Sequence, residues 1–512
     1  MTGGRWTRRE VLRASALAGP GLLLARAGWR PDRAEAAPPL APGSRPFPGL
    51  PEGTDMLPQI EHIVVLMMEN HSFDNYFGTV GRGDGLTIGV NGKPSNTNPL
   101  DDGRLVRSFP MPSPCQVGVK VSQSWNATHR QYDGGAMDGF ARTSGPAAMG
   151  YWDEATIPFY RGLASVFPIA DRYFASAPCQ TYPNRRFLQA GTAAGLISTD
   201  TNSITDPTPA NGLIWDRLDA HGITWNNYFV DLPELGLFLD FYLSHVTKSL
   251  PVAAFLAQAA TGLLPSVSLV SPDFEEVSEE NPQDIQLGEA YSASIINAVL
   301  AGPKWAKTLL VFTYDEHGGY YDHVAPPPAV APDTIGPRIN VAAGDEPGGY
   351  DLYGMRVPTV VVSPYARPDY VSHVVHDHTS ILKLIETKWN LGALTYRDAN
   401  ASNLLDMLDF AAAPAFLEPP SLPLPGIASA PSLCRVTGEA TVVPADAFLP
   451  APGSTSAVEP QPARGDAEAD APAKGTLAAT GAVAPLGLAA AAAATAVVLR
   501  RAVRAAEEAP AP

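Results

Sequence analysis

The chain has 512 residues and a formal net charge of −17, and 45% of its residues are hydrophobic. That hydrophobic share is enough for a sizeable core and excludes a wholly disordered chain. The acidic balance argues against nucleic acid as the main partner. With 3 cysteines, the chain has too few for a disulfide scaffold or a cysteine-based zinc cluster.

The first 36 residues have the features of an export signal. Residues 7–13 read TRREVLR, a twin-arginine pattern, and the apolar stretch at 14–25 is too short to span a bilayer. Ala34-Glu35-Ala36 fits a cleavage site. We therefore predict a twin-arginine-type signal peptide at 1–36 and an extracellular location. The Sec route and a plain basic N-terminal helix remain the alternatives.

Residues 37–57 are rich in proline and are predicted to form an extended arm. From residue 58 to about 425, strand-like apolar runs alternate with helix-like stretches. Continuous apolar runs suit strands buried on both faces. This region is therefore predicted to be one large domain of the α/β class with a mainly parallel sheet. The clearest strands are at 63–68, 266–270, 309–313 and 357–362, and the clearest helices are at 288–300 and 377–389.

The first of these strands ends in Glu69 and Asn70, which are followed by a polar turn up to Asp74. An acid and an amide at the mouth of a buried strand are oxygen donors, as a hard cation requires. The alternative is a solvated turn in which Ser72 or Asp74 caps a short helix.

The next polar segment places Thr181 shortly before Pro183, a residue that fits the first turn of a helix. Thr181 is therefore expected just ahead of a helix N-terminus, where backbone N–H groups attract anions. A hydroxyl at that point can attack phosphorus if a metal lowers its pKa. Asn184 and Arg185 are candidates to hold phosphoryl oxygens. The alternative is an ordinary N-cap threonine.

The strand at 309–313 leads into the adjacent acids Asp315 and Glu316. Two neighbouring acids repel each other unless a cation or a proton lies between them. Together with Glu69 and Asn70 they supply three carboxylates and one amide, a set that suits one divalent ion. Such oxygen ligands favour Ca²⁺, Mg²⁺ or Mn²⁺ over Zn²⁺. A surface acidic turn is the alternative.

The predicted helix at 377–389 is preceded by a histidine-rich segment that contains His373, His376 and His378. Histidines at a helix start can assist proton transfer or bind a metal. Alternatively, Asp377 or Thr379 of this segment simply caps the helix.

The C-terminal part is predicted to carry a signal that directs the protein to the cell surface. Residues 426–476 are predicted to be a C-terminal extension followed by a linker rich in proline and alanine. The part at 451–474 has almost no large apolar residues and is predicted not to fold. The sequence LAATG at 477–481 is followed by an uncharged stretch at 482–499 and a basic tail. This order resembles a sortase sorting signal at 477–512, which predicts cleavage after Thr480 and attachment to cell-wall peptidoglycan. The alternative is an uncut transmembrane anchor.

Cys115, Cys179 and Cys434 are an odd number for an oxidising compartment. One pair can bridge, and the sequence leaves that pairing open.

Three motifs occur in a fixed order along the chain: Glu69-Asn70-x-Ser72-Phe73-Asp74, Thr181-x-Pro183-Asn184-Arg185 and Asp315-Glu316-x-Gly318-Gly319-x-Tyr321-Asp322-His323. Together they resemble the bacterial phospholipase C and acid phosphatase family of phosphoesterases, which belongs to the alkaline phosphatase-like superfamily. The likeness runs from about residue 60 to residue 416.

The resemblance implies that residues 58–425 form a three-layer α/β/α sandwich with its site at the carboxyl ends of the strands. It also implies a metal held by Glu69, Asn70, Asp315 and Glu316. Thr181 falls where the family has its nucleophile, so a phospho-threonine intermediate that water cleaves is expected.

The chain also departs from the pattern. Gln123 and Asn281 occupy positions where many relatives carry histidine. This leaves the general acid open among His129, His323 and His378.

Two enzymatic interpretations follow from the resemblance. One is a phospholipase C-type diesterase acting on phosphatidylcholine-type lipids, and the other is a phosphomonoesterase of the acid phosphatase kind. Residues 100–160 and 325–350 are expected to form the pocket walls. Their aromatic residues, such as Trp125, Tyr132, Tyr151 and Trp152, could cage a choline-like cation or serve only in packing. A third interpretation, from another class, is a surface binding protein on an inactive phosphoesterase fold.

Overall fold

The structure is a computed structural model that describes residues 38–426 and 441–452. A mixed sheet lies at its centre. In the described chain it has eight strands, in the order β12-β6-β11-β10-β1-β9-β7-β8. All of them run parallel except β11, which is antiparallel to both of its neighbours, β10 and β6. The predicted α/β class with a mainly parallel sheet is confirmed.

The strands of the main sheet are β1 His62–Met68, β6 Ile169–Ala170, β7 Trp225–Phe229, β8 Ser249–Pro251, β9 Val267–Val270, β10 Thr308–Tyr314, β11 Thr359–Val362 and β12 Val371–Ser372. Two smaller sheets are formed by β2 Thr97–Pro99, β3 Leu105–Arg107 and β13 Phe448–Leu449, and by β4 Phe109–Pro110 and β5 Gly150–Tyr151. The α-helices are α1 Phe73–Phe77, α2 Trp125–Tyr132, α3 Phe140–Ser144, α4 Pro158–Val166, α5 Thr181–Ala190, α6 Ile214–Ala220, α7 Leu239–Ser244, α8 Val252–Thr261, α9 Ile285–Ala301, α10 His378–Trp389 and α11 Tyr396–Ala399.

The central strands are apolar throughout because helices cover both faces of the sheet. On one face, Val65 and Leu269 are paired neighbours and lie beside Leu188 of α5 and Ile381 of α10. On the other face, the ring of Phe312 stacks on Tyr160 of α4, with the ring centroids 5.1 Å apart. Every residue of β1 and β10 is buried as a result. The layers are therefore helix, sheet and helix, as the resemblance implied.

The register of β1 and β10 brings their two polar ends together. Met68, the last residue of β1, is paired in parallel with Tyr314, the last residue of β10. The residues that follow, Glu69 and Asp315, therefore leave the sheet side by side at its carboxyl edge. This is the edge at which parallel α/β sheets usually hold their sites.

The proline-rich segment at the start of the described chain packs along the C-terminal end of α10. The backbone N–H groups of Gly53 and Met56 donate to the carbonyls of Trp389 and Lys388, at 2.9 and 2.6 Å. The side chain of Asn390 donates to three further carbonyls of this segment, between Phe47 and Pro51.

Several sequence predictions fall on residues that the structure does not describe. The signal peptide at 1–36, most of the linker, the sorting signal at 477–512 and Cys434 all lie outside the described ranges. Within 38–426 and 441–452, no helix has the length and apolarity needed to cross a bilayer. Cys115 is disulfide-bonded, and Cys179 is a free, buried thiol.

Candidate active site

Thr181 is the first residue of α5, one position further into the helix than the sequence suggested. Gln180, in extended conformation, is the N-cap residue. The hydroxyl of Thr181 donates to Oδ1 of Asn70 at 3.4 Å, and the residue is 5% exposed. The nucleophile candidate therefore lies at the positive end of a helix dipole, next to a predicted metal ligand.

Glu69 and Asn70 follow β1 in a turn that the backbone fixes tightly. Asn70 has a left-handed backbone, with φ of 70°, and asparagine tolerates that region better than most residues. Its N–H donates to Oδ1 of Asp315 at 3.2 Å, and the N–H of Glu69 donates to the carbonyl of Ser278 at 3.1 Å. Ser72 caps helix α1, accepting from the Asn75 N–H at 3.2 Å.

Asp315 and Glu316 are buried at the end of β10, so this segment is not a surface turn. Oδ1 of Asp315 also accepts from the N–H of Glu316 at 2.8 Å, and Oε2 of Glu316 accepts from the N–H of Gly318 at 2.8 Å. Gly318 has a φ of 66°, and a Cβ there would lie 1.9 Å from the Asn70 carbonyl oxygen. Glycine at this position lets the two motifs touch.

The acidic side chains at this edge carry more negative charge than their surroundings balance. Burial, together with the charge of Asp315, raises the pKa of both Glu69 and Glu316 well above the usual value. Among the described residues, Oε2 of Glu69 and Oε1 of Glu316 are buried without a hydrogen-bond partner. Buried charged oxygens without partners are costly, so the donor set fits a divalent cation.

Arg185 lies between the carboxylates and is almost fully buried. Its Nε donates to Oδ2 of Asp315 at 3.0 Å and its Nη1 to Oε2 of Glu234 at 2.8 Å. Its Nη2 lies 3.8 Å from Oε1 of Glu69. The guanidinium is 1% exposed, and the ring of Phe274 lies over it at 5.0 Å.

Asn184 has its hydrogen bonds in the loop that precedes α5. Its Nδ2 donates to the carbonyls of Ala177, Cys179 and Gln180, and its Oδ1 accepts from the Ala177 N–H at 3.0 Å. Asn184 thus fixes the loop that leads to Thr181.

The three histidines proposed as general acid lie in different places, and none of them lines the cavity that contains Thr181. Nδ1 of His129 donates to the Trp125 carbonyl at 2.7 Å, and His129 lines a different surface cavity. Nε2 of His378 donates to the Asp315 carbonyl at 2.7 Å, and burial lowers the pKa of this fully enclosed ring. His323 belongs to a second charged cluster.

That second cluster surrounds Arg356. Its Nε donates to Oδ1 of Asp322 at 2.9 Å, and its Nη2 donates to Oδ1 of Asp74 at 3.1 Å. Nδ1 of His323 lies 2.7 Å from Oδ2 of Asp74, and its Nε2 lies 3.2 Å from Oδ1 of Asp84. Burial lowers the pKa of His323, but Asp74 outweighs it and raises the value to about 9.

In the described part of the chain, Asp74, Asp322 and His323 have ligand atoms within 4.8 Å of one another. Arg356 already supplies the positive charge there, so this grouping is complete as an ion-pair network.

A cavity of about 340 Å³ opens beside Thr181. Glu69, Arg185 and Glu280 line it on the polar side, and Gln123 reaches it from the predicted wall region. Most of its wall comes from residues 199–242, which sequence reasoning did not single out; residues 325–350 do not line it. The candidate cage aromatics Trp125, Tyr132, Tyr151 and Trp152 also do not line this cavity.

Glu280 is a further site residue that the sequence did not reveal. Burial and the charge of Asp315 raise the pKa of Glu280 to about 7. The preceding residue, Glu279, has a φ of 76° and receives hydrogen bonds from the hydroxyls of Tyr76, Tyr160 and Tyr314. This buried anchor fixes the backbone from which Glu280 extends.

Comparisons with known proteins identify the family of the chain. The model of the phosphoesterase family matches residues 60–392. Phospholipase C B of Mycobacterium tuberculosis is 30% identical, with 83% of this chain and 91% of the relative covered. Non-specific phospholipase C1 of Arabidopsis thaliana is also 30% identical, with 66% of this chain and 69% of the relative covered.

Among solved structures, a protein of the alkaline phosphatase superfamily from Vibrio parahaemolyticus aligns with a TM-score of 0.36 and 9% identity, covering 70% of this chain and 72% of that one. With the family match spanning more than half of its length, the chain belongs to the phosphoesterase family and is a phosphoric ester hydrolase.

Proposed function

We propose that this chain is a metal-dependent phosphodiesterase of the phospholipase C type, acting through a covalent intermediate on Thr181. The observation that carries the proposal is the location of the Thr181 hydroxyl. It lies in a cavity shared with Glu69, 3.4 Å from Oδ1 of Asn70 and at the N-terminus of a helix. The relatives named phospholipase C support a diester as the substrate.

Glu69, Asn70, Asp315 and Glu316 are the side chains that would hold the metal. The buried oxygens of Glu69 and Glu316 that lack partners support this assignment. Oxygen donors favour Ca²⁺, Mg²⁺ or Mn²⁺ over Zn²⁺. When bound, such an ion would neutralise phosphate charge and lower the pKa of the Thr181 hydroxyl.

The neighbouring residues have positioning roles in this proposal. Arg185 holds Asp315 and Glu69 through its guanidinium, and Asn184 holds the loop before Thr181. His378 fixes the backbone of Asp315. Arg185 lines the cavity, but its guanidinium is already paired with carboxylates, and Asn184 is bonded to its own loop. This proposal therefore gives both residues a positioning role in place of the phosphoryl contacts that the sequence suggested.

In the reaction, the Thr181 hydroxyl releases its proton to the water of the open cavity, and its oxygen forms a bond to phosphorus. The bond from phosphorus to the leaving oxygen breaks, the electron pair stays on that oxygen, and the oxygen takes up a proton. We assign that proton to Glu280, which lines the same cavity. A water molecule then attacks phosphorus and gives a proton to the ionised Glu280. The bond from phosphorus to the Thr181 oxygen breaks, the remaining phosphate ester leaves, and the Thr181 oxygen takes up a proton from solvent.

The test uses the full chain supplied with Mn²⁺ and assayed on 4-nitrophenylphosphorylcholine, bis(4-nitrophenyl) phosphate and 4-nitrophenyl phosphate. Thr181→Ala should lower kcat by about 1,000-fold or more, since the nucleophile is lost. Thr181→Ser should keep measurable turnover. Acid quenching followed by mass spectrometry should find the transferred phosphoryl group on Thr181.

Thr199→Ala is the matched control, because Thr199 lines the same cavity and is exposed. Near-normal turnover by Thr181→Ala, or an adduct on another residue, would contradict the mechanism. Preference for the monoester would make the chain a phosphatase. No turnover of any ester by metal-loaded protein would favour a surface binding protein.

We also propose that the chain is exported and attached to the cell surface. This rests on the sequences at 1–36 and 477–512 alone. Mass spectrometry of the cell-wall fraction should find chains that end at Thr480. Chains that keep the basic tail would indicate an uncut anchor instead.

A further inference from the structure

Gln116 is a fully buried residue outside the three sequence motifs, and both ends of its side-chain amide are hydrogen-bonded. Its Nε2 donates to the carbonyl of Glu279 at 2.7 Å and to the carbonyl of Gln283 at 3.2 Å. Its Oε1 accepts from the hydroxyl of Tyr320. One side chain therefore joins two segments that are far apart in the sequence.

Both of these segments carry residues of the candidate active site. The turn at 279–283 contains Glu280, which lines the reaction cavity. The other segment follows β10, where Tyr320 comes shortly after the proposed metal ligand Glu316. Gln116 thus connects the proposed proton donor to the segment that holds the proposed metal site.

The backbone of this turn needs such support. Glu279 has a φ of 76°, a conformation that costs a non-glycine residue about 1–3 kcal/mol and persists only where surrounding contacts fix it. Nε2 of His71 lies 3.0 Å from the same Glu279 carbonyl, but Gln116 contacts both ends of the turn. Because Glu280 directly follows, a rotation of the backbone at Glu279 would turn its side chain away from the cavity.

The backbone on both sides of Gln116 is itself anchored. Cys115 is disulfide-bonded, and its carbonyl accepts from the hydroxyl of Thr441 at 2.7 Å. The carbonyl of Val117 accepts from the N–H of Thr441, also at 2.7 Å. Gln116 is therefore held in place from behind and offers a fixed point for the turn at 279–283.

We propose that Gln116 is a positioning residue that keeps Glu280 within reach of the leaving oxygen. The inference rests on the proposed function, in which the carboxyl group of Glu280 gives its proton to that oxygen as the bond to phosphorus breaks. Proton transfer needs the two oxygens at hydrogen-bond distance. Loss of the Gln116 contacts would therefore impair this transfer and leave the nucleophile and the metal ligands in place.

The experiment compares two esters whose leaving oxygens differ in their need for a proton. 4-Nitrophenolate leaves readily without one, whereas unsubstituted phenolate depends on protonation. The full chain, supplied with Mn²⁺, is assayed on 4-nitrophenylphosphorylcholine and phenylphosphorylcholine. The quantity measured is kcat/KM, because it reports the step in which the leaving group departs.

Glu280→Gln should lower kcat/KM about 100-fold or more on the phenyl ester and less than about 10-fold on the nitrophenyl ester, since the proton donor is lost. Gln116→Met keeps the approximate length of the side chain and removes its hydrogen bonds. It should show the same preference, with a loss at least about 10-fold larger on the phenyl ester. In the Glu280→Gln background, Gln116→Met should add no further preference.

Gln131→Met is the matched control, because Gln131 is equally buried and also makes three hydrogen bonds. Its Nε2 donates to the Ser122 carbonyl and to the Ser144 hydroxyl, both at 2.8 Å, and its Oε1 lies 2.7 Å from Nε2 of His317. This change should affect both esters equally. Thermal unfolding checks that each variant is folded.

If Gln116→Met does not fold, Tyr320→Phe replaces it. This change removes one hydrogen bond of Gln116 and leaves the other two, so the preference should persist at a smaller size. Equal losses on both esters in the folded variant, or the same preference in Gln131→Met, would overturn the positioning role and leave the phosphodiesterase intact.

Equal losses in Glu280→Gln would remove the proton donor and the role of Gln116 together. A wild-type enzyme that hydrolyses the nitrophenyl ester alone would lack a working proton donor, with the same consequence. No turnover of either ester by metal-loaded protein would instead contradict the proposed function itself.

Discussion

Two buried arginines, Arg185 and Arg356, each gather carboxylates that follow β1 and β10, yet their clusters differ in completeness. Arg356 pairs with Asp74 and Asp322, and none of the unpartnered buried atoms of the described chain belongs to these three residues. Around Arg185 the acids outnumber the cation, and oxygens of Glu69, Glu234 and Glu316 have no partner.

The same two strand ends supply both clusters, a few residues apart. The complete cluster can be explained by folding alone, since a buried ion pair needs every charge to be matched. The incomplete cluster retains a charge imbalance that folding would not favour, and it lies next to the cavity and Thr181. The difference supports our proposal that the functional site lies around Arg185 and that the Arg356 cluster is structural.

The largest expected effect comes from a single oxygen-to-nitrogen change in the incomplete cluster. Asp315→Asn should lower kcat/KM by about 1,000-fold and reduce the metal content of the purified protein. The fold should survive, because an amide oxygen can still accept from the N–H groups of Asn70 and Glu316, and Arg185 retains Glu234. Assays, metal analysis and thermal unfolding are the measurements.

The change at the corresponding place in the complete cluster, Asp322→Asn, serves as the comparison. It should lower stability and leave turnover per folded molecule largely intact. Full metal occupancy in Asp315→Asn would count against the proposed ligands.

The next effect concerns the complete cluster itself. Arg356→Met should lower the free energy of unfolding by about 3 kcal/mol or more, because it leaves two buried carboxylates without their cation. Urea denaturation measures this change. Arg142→Met is the control, since the Arg142–Asp138 pair is largely exposed and should contribute less than about 1 kcal/mol. Equal losses in the two variants would mean that the Arg356 cluster is not structural.

The smallest effect is a pH dependence that belongs to His323. The pKa of His323 is raised from 6.5 to about 9 in the folded protein. Its contribution to the free energy of unfolding is therefore complete below pH 6.5 and is lost as the pH rises through about 9. We expect about 2 kcal/mol after allowance for its partial exposure.

Unfolding by urea at pH 6 and pH 9.5, compared between wild type and His323→Gln, isolates this contribution from other titrating groups. A difference between the two proteins that stays constant with pH would refute the charged state of His323.

The sequence predicted those parts of the fold where local pattern and burial agree. The continuous apolar runs at β1, β9, β10 and β11 are strands, and the helical spacing at 377–389 forms α10. β6 and β12 have only two residues each, and β7 contains Asn226 and Asn227. Such strands exist because neighbouring strands hold them, so no local periodicity identifies them. The reversed direction of β11 is likewise set by its connections.

For the site, the sequence predicted the residues that directly follow a strand. It did not predict the residues that belong to the long segments connecting the strands. Register alone places Glu69 beside Asp315. Glu280 and the cavity residues at 199–242 come from segments between strands, whose approach to Thr181 depends on contacts such as Arg185–Glu234. The roles proposed for His129, His323 and His378 remain untested, but their hydrogen-bond partners were decided by tertiary packing that motif spacing does not contain.

The free thiol of Cys179 gives access to the motions of this region without any substrate. Burial, with the charge of Glu316, raises the pKa of Cys179 well above its usual value, and the side chain is 1% exposed. A thiol in that state reacts with a water-soluble reagent only while the loop in front of Thr181 is open. The rate at which Cys179 is modified therefore measures how often the loop that carries the nucleophile opens. The measurement also works in variants that have no catalytic activity.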